Sequence, residues 1–278
     1  MKLAFSSNAF KKFSLENAIR EIAKIGFKGV EILGDIPHAY PPEFSEEQIR
    51  KIKNLVSDLN IEISNLNSFA LYAIGDVYHP SWIEPDIRLR EKRIQYTCDC
   101  IYLAKKLGIK NISTEPGGPI SINDNNKIKL DSLLKIFVEG LKKVEFIAEK
   151  NNVKILVEPE PSLLIENSLQ FLQLMKTVCS DYIKLNFDIG HFYCVREDPS
   201  ETILKLIEYI EHFHLADIAS NRVHNHLLPG IGSIDFERVF DTIKNIGYKG
   251  FVTIELYPYQ DNPIEVAKQS FNYLKVFI

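Results

Sequence analysis

The feature that most constrains this chain is a regular alternation of short apolar runs with longer amphipathic stretches, which repeats eight times over 278 residues. The apolar runs are nearly continuous, as expected of parallel strands buried on both faces, and the stretches between them have helical spacing. Eight such units without a linker match the size and period of a (β/α)₈ barrel. We therefore predict an α/β fold in which residues 1–278 form a single barrel domain. An open, doubly wound sheet is the alternative, but no glycine-rich phosphate motif follows the first strand.

The bounds of the predicted elements follow from apolar spacing, capping residues and glycine stops. The predicted strands are 3–6, 29–33, 61–66, 109–114, 153–157, 182–187, 211–215 and 251–256. The second predicted helix begins at 45, and the others are 14–25, 86–107, 130–150, 167–178, 199–210, 236–246 and 263–277. The segment 67–85 is long and aromatic, which favours a functional loop that covers the site.

Charge and cysteine content exclude several classes of function. The chain has 33 Lys and Arg against 37 Asp and Glu, a formal net charge of −4, and no basic block that could follow a phosphate backbone. No apolar run reaches the roughly 18 residues of a transmembrane helix, and the first residues lack the apolar centre of a signal peptide. The four cysteines lack metal-site or redox-motif spacing, which is typical of reduced thiols. We therefore expect a cytoplasmic protein that binds neither nucleic acid nor membrane.

Side chains able to do chemistry follow the later predicted strands, where barrel enzymes place their active sites. In the stretch 186–191, Asp188 ends a buried strand, Gly190 permits a sharp turn, and His191 swings back over the same opening. The first three strands, by contrast, are expected to contribute mostly small or neutral groups. The other candidate side chains at strand ends are Glu115, Glu158, His212, His214 and Glu255.

Three of these carboxylates would be costly to bury together without a compensating charge. Glu158, Asp188 and Glu255 therefore predict a site for one divalent metal ion, with His214 as the nitrogen ligand. Three carboxylates and one imidazole suit a fairly hard ion, Mn²⁺, Mg²⁺ or Co²⁺, with Zn²⁺ as an alternative.

Neighbouring polar residues also have structural interpretations. His212, one layer deeper in the barrel, is expected to pack in the core. His224 and His226 could be solvated residues of the loop after the seventh strand. Glu160 and Asp217 are expected to orient ligands or cap helices.

Five motifs occur in order along the chain. They are Val157-Glu158-Pro159, Phe187-Asp188-Ile189-Gly190-His191, His212-Phe213-His214-Leu215-Ala216-Asp217, the segment 226–236 with Pro229-Gly230-Ile231-Gly232, and Thr253-Ile254-Glu255-Leu256. Together they resemble the xylose-isomerase-like superfamily of TIM barrels, which holds sugar isomerases and epimerases, inosose dehydratases and endonuclease IV. The resemblance covers nearly the whole chain and is strongest from residue 153 onward.

The resemblance implies a metal site and a catalytic pair. Glu158, Asp188, His214 and Glu255 match the superfamily's metal ligands, and in its ketose epimerases the two glutamates also act as acid and base. Endonuclease IV departs from this pattern, because its Asp-x-His element reads 224–226 His-Asn-His here and two of its other histidines are replaced. A three-zinc cluster would lose ligands, so DNA repair is disfavoured.

The resemblance also implies substrate contacts. His191 matches a residue that binds a substrate oxygen near the metal, and Arg222 resembles a substrate-binding arginine of the epimerases. Glu115 and Trp82 are further candidate substrate contacts. His226 occupies the position of an extra zinc ligand in endonuclease IV and is a candidate metal or substrate ligand.

The sequence thus predicts a metal-dependent isomerase or epimerase that acts on a sugar or polyol ketone by proton abstraction through an enediolate. A dehydratase of a keto-polyol such as an inosose shares the first step and stays an alternative. A multi-metal hydrolase related to endonuclease IV would need more than one ion, and a binding module would show no turnover. The small-molecule substrate and its phosphorylation state are open, and so is a homodimer, since barrels of this kind often pair.

Overall fold

Eight parallel strands close into a barrel in the computed structural model, which describes residues 1–120 and 127–278. Neighbours in the barrel are neighbours in sequence, and the first strand pairs with the eighth to close it. The strands are β1 (Lys2–Ser6), β2 (Gly29–Leu33), β3 (Glu62–Asn67), β4 (Asn111–Thr114), β5 (Lys154–Val157), β6 (Ile183–Asp188), β7 (Ile210–Leu215) and β8 (Phe251–Ile254). The predicted single (β/α)₈ barrel is confirmed.

Helices surround the barrel on its outside. Those described are α1 (Leu15–Ile25), α2 (Glu46–Asp58), α3 (Ile87–Leu107), α4 (Lys127–Asn151), α5 (Ser168–Val178), α6 (Ile189–Cys194), α7 (Pro199–Leu206), α8 (Phe236–Asn245) and α9 (Pro263–Leu274). Ser45 and Asn167 form capping boxes at the starts of α2 and α5, and Gly26 and Gly108 end α1 and α3 in the left-handed conformation.

Several predicted boundaries differ from the structure by one to three residues, and two larger differences concern the end of α7 and the presence of α6. The helix predicted over 199–210 ends at Leu206, and the chain is already in β7 at Ile210. The apolar residues 207–210 fit a helix face and a strand equally well, so spacing alone could not separate them. The short helix α6 was not predicted, because the segment after Asp188 was expected to be a turn.

The inside of the barrel carries a hydrogen-bonded polar layer below the mouth. His212 lies between Asn186 and Thr253, with its ring nitrogens 2.8 and 2.9 Å from their side-chain oxygens. Asn65 donates to Ser113 at 2.9 Å in the same interior. The prediction that His212 packs in the core is confirmed, and burial lowers its pKa to about 3, which keeps the ring neutral. These hydrogen bonds hold the layer in place beneath the side chains at the barrel mouth.

Among the described residues, no helix combines the length and the apolar character that crossing a bilayer requires.

Candidate active site

Four side chains from consecutive strands converge at the carboxyl end of the barrel. Asp188 ends β6 and pairs in register with His214 of β7, while Glu158 and Glu255 directly follow β5 and β8. His214 Nδ1 lies 2.9 Å from Glu158 Oε1 and 3.7 Å from Glu255 Oε2. Asp188 and His214 are fully buried, and the two glutamates are nearly so. The structure thus brings together the four residues predicted as metal ligands.

The donor set fits a divalent ion. One ligand atom from each of Glu158, Asp188, His214 and Glu255 lies within 4.8 Å of all the others. Asp188 Oδ1 accepts the backbone N–H of His191 at 2.8 Å, but its Oδ2 is buried without a hydrogen-bond partner. An unpaired carboxylate oxygen in the interior is costly unless a cation or proton compensates it. Three carboxylates and one imidazole are ligands that Mn²⁺, Mg²⁺, Co²⁺ and Zn²⁺ all accept.

Glu31, in the middle of the early strand β2, is a member of this site that the sequence interpretation missed. Its Oε2 lies 2.6 Å from His214 Nε2, and the carboxylate also accepts N–H groups from Asn65 and Asn67 at 2.8 and 3.2 Å. The expectation that the first three strands contribute mostly small or neutral groups holds for Asn65 and Asn67 but not for Glu31. The sequence Val30-Glu31-Ile32 contained a usable signal, since it places one acid between apolar residues of a strand. A charged residue inside an otherwise apolar strand needs a buried partner.

His214 is held from both sides by carboxylates. Burial acts against its charged form, but Glu158 and Glu31 together raise the pKa of His214 well above its ordinary value. With Nε2–H donated to Glu31, Nδ1 is the nitrogen that faces Glu158 and Glu255. A second hydrogen bond of this kind fixes the ring orientation of a histidine ligand.

His191 reaches the site by a different route from the one predicted. Asp188 caps the short helix α6, and Gly190 lies inside that helix rather than in a turn of positive φ. The packing around Gly190 is close, since a Cβ there would lie 3.1 Å from both Asp188 Oδ1 and Ile218 Cγ1, tighter than most Cβ contacts. His191 Nδ1–H donates to the Pro159 carbonyl at 2.9 Å, so its Nε2 is left facing the pocket, 3.8 Å from Asp188 Oδ2.

Two further histidines lie beside His191. His224, His226 and His191 each offer a ring nitrogen, and these atoms lie within 4.8 Å of one another. His226 Nδ1 donates to the Glu255 carbonyl at 2.8 Å, which leaves its Nε2 facing His224 Nε2 at 3.2 Å. Burial lowers the pKa of His224 to about 2 and that of His226 to about 4, so both rings are neutral. They are not solvated loop residues, which was one of the interpretations that the sequence left open.

A pocket of about 720 Å³, including its open mouth, lies over the cluster. Aromatic rings of the loop after β3 and of the β8 end form much of its wall: Phe69, Tyr72, Tyr78 and Tyr257. Asn8 Nδ2 donates to Glu255 Oε1 at 2.8 Å and Asn67 Nδ2 at 3.2 Å, so the first half of the barrel orients a glutamate of the second half.

Glu160 is the acidic group on the rim of this pocket. Tyr78 donates its hydroxyl to Glu160 Oε1 at 2.7 Å, and burial raises the pKa of Glu160 to about 7. Asp217 has the structural role that was expected. It accepts the backbone N–H groups of Gly230 and Gly232 at 2.9 Å each and that of Ile234 at 3.1 Å, which holds the loop after β7.

Three predicted substrate contacts lie outside the pocket lining. Arg222 donates to the Tyr193 carbonyl at 2.5 Å and stacks over the Tyr193 ring, beside a separate cavity. Trp82 is buried under the loop, where its Nε1–H donates to Thr114 at 2.9 Å. Glu115 accepts the N–H of Trp82 at 3.0 Å and thus braces that loop from below. Strand-end and loop positions predicted proximity but not side-chain direction, and these three side chains point into loop packing.

The fold and the buried acids at its mouth define a (β/α)₈ barrel with a carboxylate–imidazole centre at the carboxyl ends of its strands. The model of one protein family, described as the xylose isomerase-like TIM barrel, matches residues 19–277. The chain belongs to this family.

Similar proteins of known name span almost the full chain. An inosose dehydratase of Clostridium perfringens (strain 13 / Type A) is 24% identical over 283 residues, which cover 95% of this chain and 90% of that protein. A fructoselysine 3-epimerase of Shigella flexneri is 23% identical over 276 residues, covering 97% and 95%.

Solved structures have the same fold. A D-tagatose 3-epimerase-like protein superposes with a TM-score of 0.83 at 25% identity, covering 100% of this chain and 97% of that one. A structure described as IOLI protein with a binding zinc atom has a TM-score of 0.78 at 20% identity, covering 100% and 99%.

Proposed function

We propose that this protein is a metal-dependent isomerase or epimerase that moves a proton next to the carbonyl of a sugar or polyol ketone. One observation carries the proposal: Glu158 and Glu255, from strands that are not neighbours, approach the same nitrogen of His214 at 2.9 and 3.7 Å and both line the pocket. Two carboxylates that face one buried centre can remove a proton on one side of a substrate and return it on the other. The names of the similar epimerases support this reaction class.

Glu158, Asp188, His214 and Glu255 would hold one divalent ion, Mn²⁺, Mg²⁺ or Co²⁺, with Zn²⁺ as the alternative supported by the zinc-containing neighbour. When bound, such an ion supplies Lewis-acid stabilisation of the negative charge that develops on substrate oxygens during proton abstraction.

The chain's own residues would orient the reacting groups. Asn186 donates to Glu158 Oε2 at 2.8 Å, and Asn8 restrains Glu255 in the same way, so both carboxylates are aimed before the substrate arrives. His191, through Nε2, would hold a substrate oxygen. The aromatic wall would exclude water from the enediolate that follows proton removal.

A dehydratase is the second candidate, because the similar inosose dehydratases cover almost the full chain. Such a lyase starts with the same proton abstraction by Glu158 or Glu255 and then expels a hydroxyl group. A multi-metal hydrolase is a third candidate, supported by the converging nitrogens of His191, His224 and His226. Metal content separates it: two or three tightly held ions per chain would favour hydrolysis, and one ion would favour proton transfer.

The deciding experiment measures deuterium incorporation. Purified protein with Mn²⁺ is incubated in D₂O with ketoses, sugar phosphates and inososes, and exchange of the C–H next to the carbonyl is followed by NMR. We expect exchange with at least one compound, and loss of about 10²–10⁴-fold in rate in Glu158→Gln and Glu255→Gln. Glu47→Gln, on the exposed face of α2 and outside the pocket lining, is the control. If no compound exchanges while metal is bound, the proposal fails. Formation of a product that has lost one water relative to its substrate identifies the dehydratase.

We further infer that the enzyme works in the cytoplasm on a small-molecule substrate, without nucleic-acid or membrane partners. Its acidic balance and its four free cysteines, two of them buried, support this inference. A homodimer is tested directly by light scattering of the purified protein, where twice the 31.9 kDa chain mass is expected for a pair.

A further inference from the structure

Lys11 is the cation that lines the active-site pocket. The first barrel loop contains a short 3₁₀ helix, Ser7–Phe10, and Lys11 directly follows it. Because side chains three residues apart eclipse one another in a 3₁₀ helix, Asn8 and Lys11 lie on the same face, and both line the pocket. Among the described residues that line it, Lys11 is the one Lys or Arg; the other ionisable groups are carboxylates, imidazoles and phenols.

The ammonium group of Lys11 is half-buried, yet it has no ion pair. Among the described residues, no carboxylate oxygen lies within 4.0 Å of its Nζ, whereas its neighbour Lys12 is exposed and pairs with Asp261. Burial lowers the pKa of Lys11, and the more distant charges of Asp35 and Glu255 only partly offset this effect. A cation that is desolvated without a carboxylate partner is unfavourable unless a ligand completes it.

The position of Lys11 is set by Tyr72. Lys11 Nζ lies 4.2 Å from the centre of the Tyr72 ring, within cation–π range. Tyr72 is itself held in place, because the buried carboxylate of Asp35 accepts the backbone N–H groups of Tyr72 and Ala73. The ring orients the ammonium group without neutralising it, so its charge stays available to the pocket.

Asn8 adds an independent sign that a ligand group belongs here. Its Nδ2 is used by Glu255, but its Oδ1 is buried and has no hydrogen-bond partner. An unpaired acceptor and an unpaired cation in the lining of one pocket match a ligand that carries both a hydroxyl donor and an anionic group.

We propose that Lys11, stacked on Tyr72, binds an anionic substituent of the substrate, a carboxylate or a phosphate, and that the substrate class is therefore an acidic keto-sugar rather than a neutral one. The sugar portion of this substrate follows from the proposed function, on which this inference rests. The anion would be held by Lys11 while the carbonyl end is presented to Glu158 and Glu255.

Three ketohexoses that differ only at C6 test the inference: D-fructose, D-fructuronate and D-fructose 6-phosphate. Binding to the Mn²⁺-loaded protein is measured by calorimetry at low and high salt, and C–H exchange in D₂O is measured in parallel. We expect one or both anionic compounds to bind about 10–100-fold more tightly than D-fructose, the value of a hydrogen bond to a charged group. Which of the two is preferred distinguishes a carboxylate from a phosphate. High salt should reduce the preference.

Lys11→Gln is expected to reduce the ratio of anionic to neutral affinity to about one. Lys12→Gln removes a charge one residue away without touching the pocket lining and should keep the ratio. A preference for anions that survives in Lys11→Gln would show that another group, such as the metal, binds them, and would overturn the inference. Equal binding of all three sugars by the unmodified protein would do the same.

The outcomes for the two proposals are distinguishable. Preferential binding of the anionic compounds that depends on Lys11, without any C–H exchange, would support the binding site and contradict the proposed proton transfer. Exchange on D-fructose with no preference for the anionic compounds would support the proton transfer and contradict the role of Lys11.

Discussion

The imidazole of His214 lies between two carboxylates that have different roles. Glu158 approaches Nδ1 and is itself one of the four converging candidate ligands, whereas Glu31 approaches Nε2 from the opposite side of the ring and is outside that group. Glu31 is in turn fixed by Asn65 and Asn67. Protein groups alone thus fix the ring orientation, and we expect Glu31 to position His214 for an ion rather than to bind the ion itself.

Replacement of Glu31 by glutamine should weaken metal binding without removing a ligand. The variant keeps the shape of the side chain but loses the charge that holds His214 Nε2–H, and we expect about 10–100-fold lower affinity for Mn²⁺ by calorimetry. Glu47→Gln, on the exposed face of α2, removes the same charge outside the site and should keep the affinity. Unchanged affinity in Glu31→Gln, in a variant with normal circular dichroism, would contradict the positioning role.

His38 gives a pH-dependent contribution to stability away from the metal site. Its ring lies between the Ser7 hydroxyl at 3.1 Å and the carbonyls of Phe10 and Phe13 at 3.3 Å, and burial lowers its pKa below the ordinary 6.5. Because the folded state disfavours protonation, this contribution is fully present above pH 6.5 and declines as the pH falls below that value towards the folded pKa.

We therefore expect the stability difference between the unmodified protein and His38→Gln to be larger at pH 8 than at pH 5. Urea unfolding at both values measures it, and a difference that does not change with pH would show that His38 does not titrate differently in the folded state.

At the scale of elements, strand ends and loops differed in how far they could be predicted. The ends of β5 to β8 could be predicted from the sequence, because each of these strands is an apolar run that is followed by an acid or contains histidines. Helix α6 was not, since six residues carry too little periodicity and its cap, Asp188, had been interpreted only as a ligand. Arg222 was misplaced for a related reason: its left-handed backbone, with φ of 61°, turns the side chain towards Tyr193, and no local pattern announces that turn.

The loop after β7 depends on one carboxylate, and its replacement should loosen the whole segment. Asp217 Oδ2 accepts two backbone N–H groups, from Gly230 and Gly232, and a Cβ at Gly232 would lie 2.3 Å from Asp217 Oδ1. In Asp217→Asn one of the two accepting oxygens becomes an NH₂ group, which faces backbone N–H groups and leaves them without an acceptor. We therefore expect the free energy of unfolding to fall by about 1.5–3 kcal/mol. Urea denaturation measures it.

Asp235→Asn, in the same loop, is the control for that substitution. Asp235 caps α8 by accepting the N–H of Arg238 at 3.0 Å, and asparagine caps helices about as well as aspartate, so its stability should be nearly unchanged. Equal effects of the two substitutions would contradict the special role of Asp217.

At the scale of the whole molecule, the barrel could be predicted because the strand–helix alternation repeats along the whole chain. A single error, such as the end of α7, does not change the number of strand–helix units. The site was only partly predictable. Glu31 and Asn67 belong to β2 and β3, and Asn8 to the loop after β1. Their approach to the second half depends on barrel closure, which pairs β1 with β8 across the full sequence. Such long-range contacts leave no spacing signal.

Metal loading should stabilise the entire fold, because its four candidate ligands belong to four adjacent strands. At a free Mn²⁺ concentration 100 times the dissociation constant, binding contributes about 2.7 kcal/mol, or an increase in Tm of about 5 °C for a chain of this size. Calorimetric scans with Mn²⁺ and after treatment with a chelator measure the shift. Asp188→Asn should lose most of it, and a shift that persists in that variant would indicate binding elsewhere.

The pairing of the two halves across β1 and β8 has a consequence for how such enzymes diverge. The candidate metal ligands all come from residues 158–255, whereas Lys11, Tyr72 and most of the aromatic wall come from the first 80 residues. Mutation in the early loops can therefore alter which molecule is admitted while the reactive centre is inherited intact. Three residues of the first half, Asn8, Glu31 and Asn67, contact Glu255 or His214 of the second half, so a lineage that changes its substrate is expected to retain them.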